Sequence, residues 1–298
     1  MPNKETPIIK IYTGSCYEKK YIKKYQKVIT FDLDETLGSF FHLSVLWSGL
    51  KRLQKEMLDQ SFFNTLLDLY PEFLRYGILN ILDYLMLKKK QGECDKIYIY
   101  TNNNCSPPWV SLITEYFKYK LDSKEEIFDH VICAFKINNK VIELSRSTNE
   151  KTHDDFIKCT LLPKTTEICF LDNTYFSNMV NEKVYYIQPR SYYHSLSIKS
   201  IIDRFLQCPL SIGYKESTNG KLETFLHDWF DMNSTEYPPH AVDIDIFVAQ
   251  KMMYHIKEFF YLTHRKNKTK KNRVRLSRAT RKSREPTVPP DTPSLSYG

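Results

Sequence analysis

The chain has 298 residues, of which 42% are hydrophobic and 14% aromatic, so it is long enough and apolar enough to bury a domain-sized core. Its formal net charge of +8 is unevenly distributed: eleven of the 43 lysines and arginines lie between Arg265 and Arg284, which leaves 32 bases against 33 acids in residues 1–264. No apolar run approaches the roughly 18 residues of a membrane span, which argues against a membrane-spanning protein.

The cysteines and the first residues bear on the cellular compartment. The seven cysteines show no CxxC pair and no metal-ligand spacing, and residues 1–10 lack the apolar stretch of a secretory leader. Both observations favour reduced thiols and an intracellular protein, in the nucleus or the cytoplasm.

The first part of the chain predicts a strand followed by helices. Residues 1–27 are polar, with tyrosine and lysine interleaved, and we expect them to form a loose lead-in. The apolar run Val28–Phe31 predicts a buried strand. Leucines spaced three to four residues apart predict a helical insert over about residues 38–70, and a further helix follows Pro71.

Three more buried strands are predicted, at Ile97–Tyr100, Ile168–Leu171 and Val184–Ile187, with helical segments between them. Strands that alternate with helices are typical of an α/β protein with a parallel sheet. We therefore expect a Rossmann-like parallel sheet with helices on both faces.

Polar residues follow three of these strands. Asp32 and Asp34 come after the first, Thr101 after the second, and Asp172 and Asn173 after the third. Ligands of open α/β sheets bind beyond the carboxyl ends of the strands, so we expect these residues to meet at one site. Each residue alone has a plainer interpretation, as a turn former or a helix cap.

This residue set suits phosphoryl transfer with Mg²⁺ as cofactor. Asp32 is the candidate nucleophile and metal ligand, and Asp172 or Asn173 would complete the metal site. Asp34 would supply its backbone carbonyl to the metal and its side chain as general acid and base. Thr101, the backbone of Asn102 and a lysine would bind the phosphate oxygens.

The ordered set resembles the haloacid dehalogenase superfamily of phosphatases. Asp32-Leu33-Asp34-Glu35-Thr36-Leu37 is similar to the first motif of the RNA polymerase II C-terminal-domain phosphatases, which include the NLI-interacting-factor-like small phosphatases. Arg75-Tyr76-Gly77 is similar to their Arg-Pro-Gly, Thr101 to their second-motif threonine, Phe156-Ile157-Lys158 to their lysine segment, and Leu171-Asp172-Asn173 to their fourth motif.

The resemblance implies a role for each matching residue. Asp32 would be the nucleophile and Asp34 the acid/base, and Mg²⁺ would be held by Asp32, the carbonyl of Asp34 and Asn173. Lys158 is the first candidate for the phosphate-binding lysine, with Lys151 and Lys164 as open alternatives.

Together these observations divide the chain into a lead-in (1–27), a haloacid-dehalogenase-like catalytic domain (28–207), a helical extension (208–262) and a disordered basic tail (263–298). The expected activity is hydrolysis of phosphoserine or phosphothreonine in a protein substrate. Two alternatives remain: a nucleic-acid-end or nucleotide phosphatase, and a catalytically silent module that binds phosphorylated partners. The basic segment 265–284 favours binding of nucleic acid or acidic protein.

Overall fold

The structure is a computed structural model, which describes residues 8–15, 26–54, 58–103, 109–237 and 242–282, with side chains described up to Leu262. The chain has an α/β fold in which helices pack on a six-stranded, mostly parallel sheet. Within the described ranges, no helix is both long and apolar enough to cross a bilayer.

The strands are β1 (Ile9–Thr13), β2 (Lys27–Phe31), β3 (Lys96–Tyr100), β4 (His130–Ile132), β5 (Lys136–Ile137), β6 (Lys140–Val141), β7 (Glu167–Leu171) and β8 (Val184–Pro189). The main sheet has the order β1-β8-β7-β2-β3-β4, and β5 pairs with β6 in a separate hairpin. β1 is antiparallel to β8, whereas the other neighbours in the main sheet are parallel. β2 therefore lies between β7 and β3 at the centre.

The helices are α1 (Phe41–Leu53), α2 (Gln60–Asp68), α3 (Ile78–Lys90), α4 (Trp109–Lys120), α5 (His153–Thr160), α6 (Ile198–Gln207), α7 (Ile212–Ser217), α8 (Leu222–Asn233) and α9 (Val242–Lys282). Side-chain caps fix where several of them begin: Asp59, Thr152 and Ser197 accept backbone N–H groups at the starts of α2, α5 and α6. α1 and α2 occupy the segment where a helical insert is predicted.

The two faces of the sheet are covered unequally. Alternate residues of a strand point to opposite faces, and in β2 Ile29 and Phe31 belong to the larger core cluster while Val28 belongs to the smaller one. α5 contributes Phe156 and Ile157 to the smaller cluster. Every other helix named above contributes to the larger cluster, so most of the apolar burial lies on one face.

Two predictions about the ends of the chain differ from the structure. The lead-in predicted for residues 1–27 contains the strand Ile9–Thr13, because its partly buried isoleucines pack on the main core and its backbone pairs with β8. The tail predicted to be disordered from residue 263 instead continues α9 to Lys282, since no glycine or proline interrupts that helix. Residues 283–298 lie outside the described residues.

The first half of α9 is fixed to the sheet by apolar packing and by Lys27. Ile256 and Phe259 of α9 are fully buried. Lys27, at the start of β2, donates to the backbone carbonyls of Phe259 at 3.3 Å and Phe260 at 3.5 Å. Burial lowers the pKa of Lys27 to about 8, although Glu167 at 3.9 Å acts in the opposite direction.

Two buried histidines join α1 to the segment after α8. The backbone N–H of Leu196 donates to His194 Nδ1 at 3.2 Å, so the proton of a neutral His194 is on Nε2. That Nε2–H points to His42 Nδ1 at 2.8 Å, and His42 Nε2 in turn donates to the carbonyl of Thr235 at 2.9 Å. The chain of hydrogen bonds is complete only when both rings are neutral.

The cysteines depart from the expected state at one position. Cys94, Cys159, Cys169 and Cys208 are free thiols, as predicted. Cys133 is disulfide-bonded. The expectation of reduced thiols throughout is therefore wrong at Cys133.

Candidate active site

The polar residues predicted at the strand ends lie at one edge of the sheet. Asp32 and Asp34 follow β2, Thr101 follows β3, and Asp172 and Asn173 follow β7. Because β2 is paired in parallel with both β3 and β7, the three carboxyl ends are adjacent. The order of strands along the chain thus brings residues more than 130 positions apart into one cluster.

A buried lysine joins two of these carboxylates. Lys151 Nζ lies 2.5 Å from Asp32 Oδ1 and 2.7 Å from Asp172 Oδ2, and only 2% of its side chain is exposed. Burial disfavours the charge on Lys151, but the two carboxylates outweigh burial and raise the pKa of the ammonium. Burial also raises the pKa of Asp172; Lys151 opposes this rise and the negative charge of Asp32 adds to it. One cation is therefore shared by two acids.

Asp34 lies in a different environment from Asp32. Its Oδ2 accepts a hydrogen bond from Asn103 Nδ2 at 3.0 Å. Burial raises the pKa of Asp34 to about 6; the bond from Asn103 opposes the rise, and the charges of Asp32 and Glu35 add to it. A carboxyl group with a pKa near 6 exchanges protons readily around neutral pH, as a general acid and base requires.

Arg75 holds the turn that carries Asp34. Its buried guanidinium donates to the carbonyls of Glu35 at 2.5 Å, Thr36 at 2.6 Å and Arg190 at 2.8 Å. Glu35 has a φ of 61°, in the left-handed region that residues other than glycine rarely adopt. Arg75 therefore stabilises the strained turn that directly follows Asp34.

Asn173 is tied to the same turn. The hydroxyl of Thr36 donates to Asn173 Oδ1 at 2.9 Å and accepts from the backbone N–H of Asn173 at 3.1 Å. The amide nitrogen of Asn173 donates to Ser191 Oγ at 3.0 Å and to Glu35 Oε2 at 3.2 Å. These bonds hold the ends of β2 and β7 in a fixed relation.

A second buried arginine joins the end of β3 to the segment that carries Lys151. Arg146 is 2% exposed and donates to the carbonyls of Thr101 at 3.1 Å and Cys133 at 2.7 Å. It also donates to the side-chain oxygen of Asn102 at 2.9 Å and the carbonyl of Glu150 at 3.3 Å. Arg146 thereby positions both Thr101 and the residue directly before Lys151.

Among the three candidate lysines, the structure brings Lys151 into the cluster. Lys158 is on α5 with 60% of its side chain exposed, and its ammonium lies 3.6 Å from Asp155. Lys164 is exposed after the same helix. Lys151 directly precedes the α5 cap, and only that position places a lysine between Asp32 and Asp172. Lys158, the first candidate for the phosphate-binding lysine, therefore lies outside the cluster.

The oxygen donors here are of the kind that Mg²⁺ prefers: the carboxylates of Asp32 and Asp172, the amide of Asn173 and the backbone carbonyl of Asp34. Among the described residues, no group of three or more His, Cys, Asp or Glu side chains is arranged to hold a metal ion. Charge supports the fit, since two buried carboxylates share the single ammonium of Lys151 and the pKa of Asp172 is raised. A divalent cation would balance that excess of negative charge.

A cleft of about 690 Å³ adjoins this cluster through Asn103, which lines the cleft and donates to Asp34 Oδ2. Ser44 and Ser48 of α1 also line it. Trp109 of α4 adds an aromatic surface. The described residues that line the cleft are all uncharged, so it offers neutral hydrogen-bonding and apolar contacts to whatever adjoins the reacting group.

Comparisons of the chain with protein-family models, with curated proteins and with solved structures found no match. The resemblance to the haloacid dehalogenase phosphatases therefore rests on the residues of this chain alone.

Sequence patterns missed two residues of this site. Asn103 lies in a run of three asparagines, where its position directly beyond a strand end is a usable signal. Arg146 lies in a polar segment with no periodicity, and nothing local marks it as buried.

Proposed function

We propose that this protein is a Mg²⁺-dependent phosphatase of the haloacid dehalogenase type, which hydrolyses phosphomonoesters through an aspartyl-phosphate on Asp32. The buried cluster of Asp32, Lys151 and Asp172, with Asp34 two residues beyond the nucleophile, is the observation that carries this proposal. Numbered in chain order, the parallel strands of the main sheet (β4-β3-β2-β7-β8) run 3-2-1-4-5, which is the order of a doubly wound sheet without its sixth strand and supports a Rossmann-like core.

In the first step, a carboxylate oxygen of Asp32 attacks phosphorus and the bond from phosphorus to the ester oxygen breaks. The leaving oxygen takes a proton from Asp34, whose raised pKa keeps it partly protonated near neutral pH. The product alcohol departs and an acyl phosphate remains on Asp32. Asp34 is now an anion next to the phosphoryl group.

In the second step, Asp34 removes a proton from a water molecule, and the water oxygen attacks phosphorus. The bond between phosphorus and the Asp32 oxygen breaks, which releases inorganic phosphate and restores both carboxyl groups to their starting states. Lys151 and the Thr101 hydroxyl would bind the equatorial phosphate oxygens, where negative charge is concentrated. Bound Mg²⁺, held by Asp32, Asn173, Asp172 and the carbonyl of Asp34, would neutralise charge on the phosphoryl oxygens.

The uncharged cleft favours a polypeptide over a polyanion as the group that carries the phosphate. Ser44, Ser48 and the asparagines at the cleft supply neutral donors and acceptors that match a peptide backbone. A nucleic acid end would place further phosphates against a wall that has no described cation. We therefore propose phosphoserine or phosphothreonine in a protein segment as the substrate.

The test is hydrolysis of an aryl phosphate as Mg²⁺ is titrated, with the Asp32→Asn and Asp34→Asn variants. We expect both to lower kcat by at least about a thousandfold. An aryl leaving group needs little protonation, so Asp34→Asn should accumulate phosphorylated protein, visible by intact mass. Asp59→Asn, at the cap of α2, is the matched control and should retain activity. Activity that survives Asp32→Asn would rule out the mechanism.

Substrate class is tested separately with a phosphoserine peptide and a 5′-phosphorylated oligonucleotide of similar length. We expect the peptide to have the higher kcat/KM. Faster turnover of the oligonucleotide would leave the chemistry in place but overturn the assignment of a protein substrate. Tight binding of the peptide without turnover, at several Mg²⁺ concentrations, would instead indicate a silent binding module.

A further inference from the structure

The second half of α9 is strongly cationic. We call residues 263–282 the basic helix segment; they continue the helix that begins at Val242. The segment contains no acidic residue, and its ten cations are Arg265, Lys266, Lys268, Lys270, Lys271, Arg273, Arg275, Arg278, Arg281 and Lys282. This density of one charge type indicates a polyanionic partner.

The first half of α9 anchors this segment to the folded domain. Met252, Ile256 and Phe259 are fully buried, and Lys27 donates to two carbonyls of the helix near Phe259. The segment is therefore a direct continuation of a docked helix, and binding would not have to bring a separate chain segment onto the domain. An anchored helix loses less conformational entropy on binding than a free segment does.

The spacing of the cations favours a partner that surrounds the helix. Successive helical positions differ by about 100° around the axis, so neighbours such as Lys270 and Lys271 lie on different sides. A flat acidic patch on a protein contacts one side of a helix and leaves the other cations unpaired. A nucleic acid groove presents phosphates on both of its walls, which matches charge on several sides.

The composition of the basic helix segment distinguishes among the remaining polyanionic partners. The apolar residues of the segment are Val274, Leu276 and Ala279, too few to form the apolar face of a membrane-surface helix. The segment contains no Phe, Tyr or Trp, the side chains on which single-stranded bases stack. The major groove of double-stranded RNA is too deep and narrow for a helix, whereas that of B-DNA admits one.

We propose that the basic helix segment binds double-stranded DNA in the major groove, mainly through phosphate contacts and without strong sequence preference. Its twenty residues span about 30 Å at 1.5 Å per residue, close to one turn of B-DNA at about 34 Å. The segment also contains Asn267 and Asn272, a residue type that contacts base edges and phosphates alike. This binding is independent of the phosphatase chemistry proposed above.

The experiment measures binding of the full chain to a labelled duplex of about 20 base pairs by fluorescence anisotropy. At 50 mM salt we expect a Kd of about 1 μM or lower, and a fall of log affinity with log salt concentration with a slope of about −4 or steeper. Replacing the ten cations with glutamine, which keeps helix propensity, should weaken binding at least about thirtyfold and flatten the salt dependence. The glutamine variant should still hydrolyse the aryl phosphate as the parent chain does.

Val274→Pro is the second variant, because it breaks the helix while it keeps every charge. We expect it to weaken duplex binding at least about fivefold; unchanged affinity would mean that charge alone acts and would overturn the groove-bound helix. Equal or tighter binding to single-stranded DNA, double-stranded RNA, polyglutamate or anionic vesicles would overturn the choice of partner. Duplex affinity unchanged by the glutamine variant would assign binding to another surface.

Discussion

Replacing Lys151 by methionine removes the cation between Asp32 and Asp172 while it keeps most of the apolar stem. The ammonium lies 2.5 Å and 2.7 Å from the two carboxylates and its side chain is 2% exposed. Loss of one partner from a buried ion pair leaves uncompensated charge and costs about 3–5 kcal/mol. We expect a loss of unfolding free energy at the lower end of that range at pH 8.

The loss should depend on pH in a defined direction. Burial and the negative charge of Asp32 raise the pKa of Asp172, and Lys151 opposes that rise. Without Lys151, the folded-state pKa of Asp172 should therefore lie further above its unfolded value of about 3.9. The folded variant then binds more protons than the unfolded one, and its stability falls as pH rises through the raised pKa. The destabilisation should therefore be smaller at pH 5 than at pH 8.

Lys158→Met is the matched control, because this lysine is seven residues away, 60% exposed and paired only at 3.6 Å with Asp155. We expect Lys158→Met to change stability by less than about 0.5 kcal/mol and activity by less than about twofold. Lys151→Met should lower kcat on an aryl phosphate by at least about a hundredfold. Urea unfolding at pH 5 and pH 8, with steady-state kinetics, measures both effects. Equal effects of the two variants would refute the assignment of Lys151.

Three further outcomes follow from other buried polar groups. Arg146→Met removes the donor to the carbonyls of Thr101 and Cys133, so we expect the unfolding free energy to fall by about 2–4 kcal/mol and kcat to fall strongly. Urea unfolding and steady-state kinetics measure the two effects. Full activity in a folded variant would show that the site does not need Arg146 to hold the end of β3. The pKa of Lys27 is lowered to about 8 when folded and is about 10.5 when unfolded, so the unfolded state binds more protons between these values. The parent should therefore gain stability relative to Lys27→Met as pH rises from 8 to 10, by up to about 3 kcal/mol, and parallel pH profiles would contradict the burial of this cation. Burial lowers the pKa of His42, so the protein should lose unfolding free energy as pH falls below about 6.5. His42→Phe should lack this pH-dependent loss and should lower the unfolding free energy by about 1–3 kcal/mol at pH 8. If chemical unfolding shows the same loss of stability at low pH in the parent and the variant, the neutral histidine pair is disproved.

Much of the candidate site was predictable because its signal is local. Each of the strands β2, β3 and β7 is a short apolar run followed directly by polar residues, so burial and a strand end could be inferred at Asp32, Thr101 and Asp172. The carboxyl ends of parallel strands lie at one edge of a sheet, so the sequence predicts that these residues meet there. The chemistry of oxygen donors then indicated Mg²⁺ and phosphate.

Other features depend on the path of the chain through space. Lys151 precedes α5 and Lys158 lies in its last turn. No rule of sequence spacing says which of the two ammonium groups reaches Asp32 at the end of β2, which is 119 or more residues earlier in the chain. Arg75 and Arg146 donate mainly to backbone carbonyls. Because every residue has a carbonyl, the residue types of their partners give no sign of these contacts in the sequence.

The sequence by itself determined the alternation of strands and helices, the polar residues at three strand ends and the concentration of positive charge after His264. Only the tertiary structure decided that Lys151 lies between Asp32 and Asp172, that Ile9–Thr13 forms an edge strand, and that α9 extends into the basic segment. The physical reason is that these contacts join residues far apart in the sequence. Apolar periodicity indicates whether a residue is buried, but not which distant groups are buried beside it.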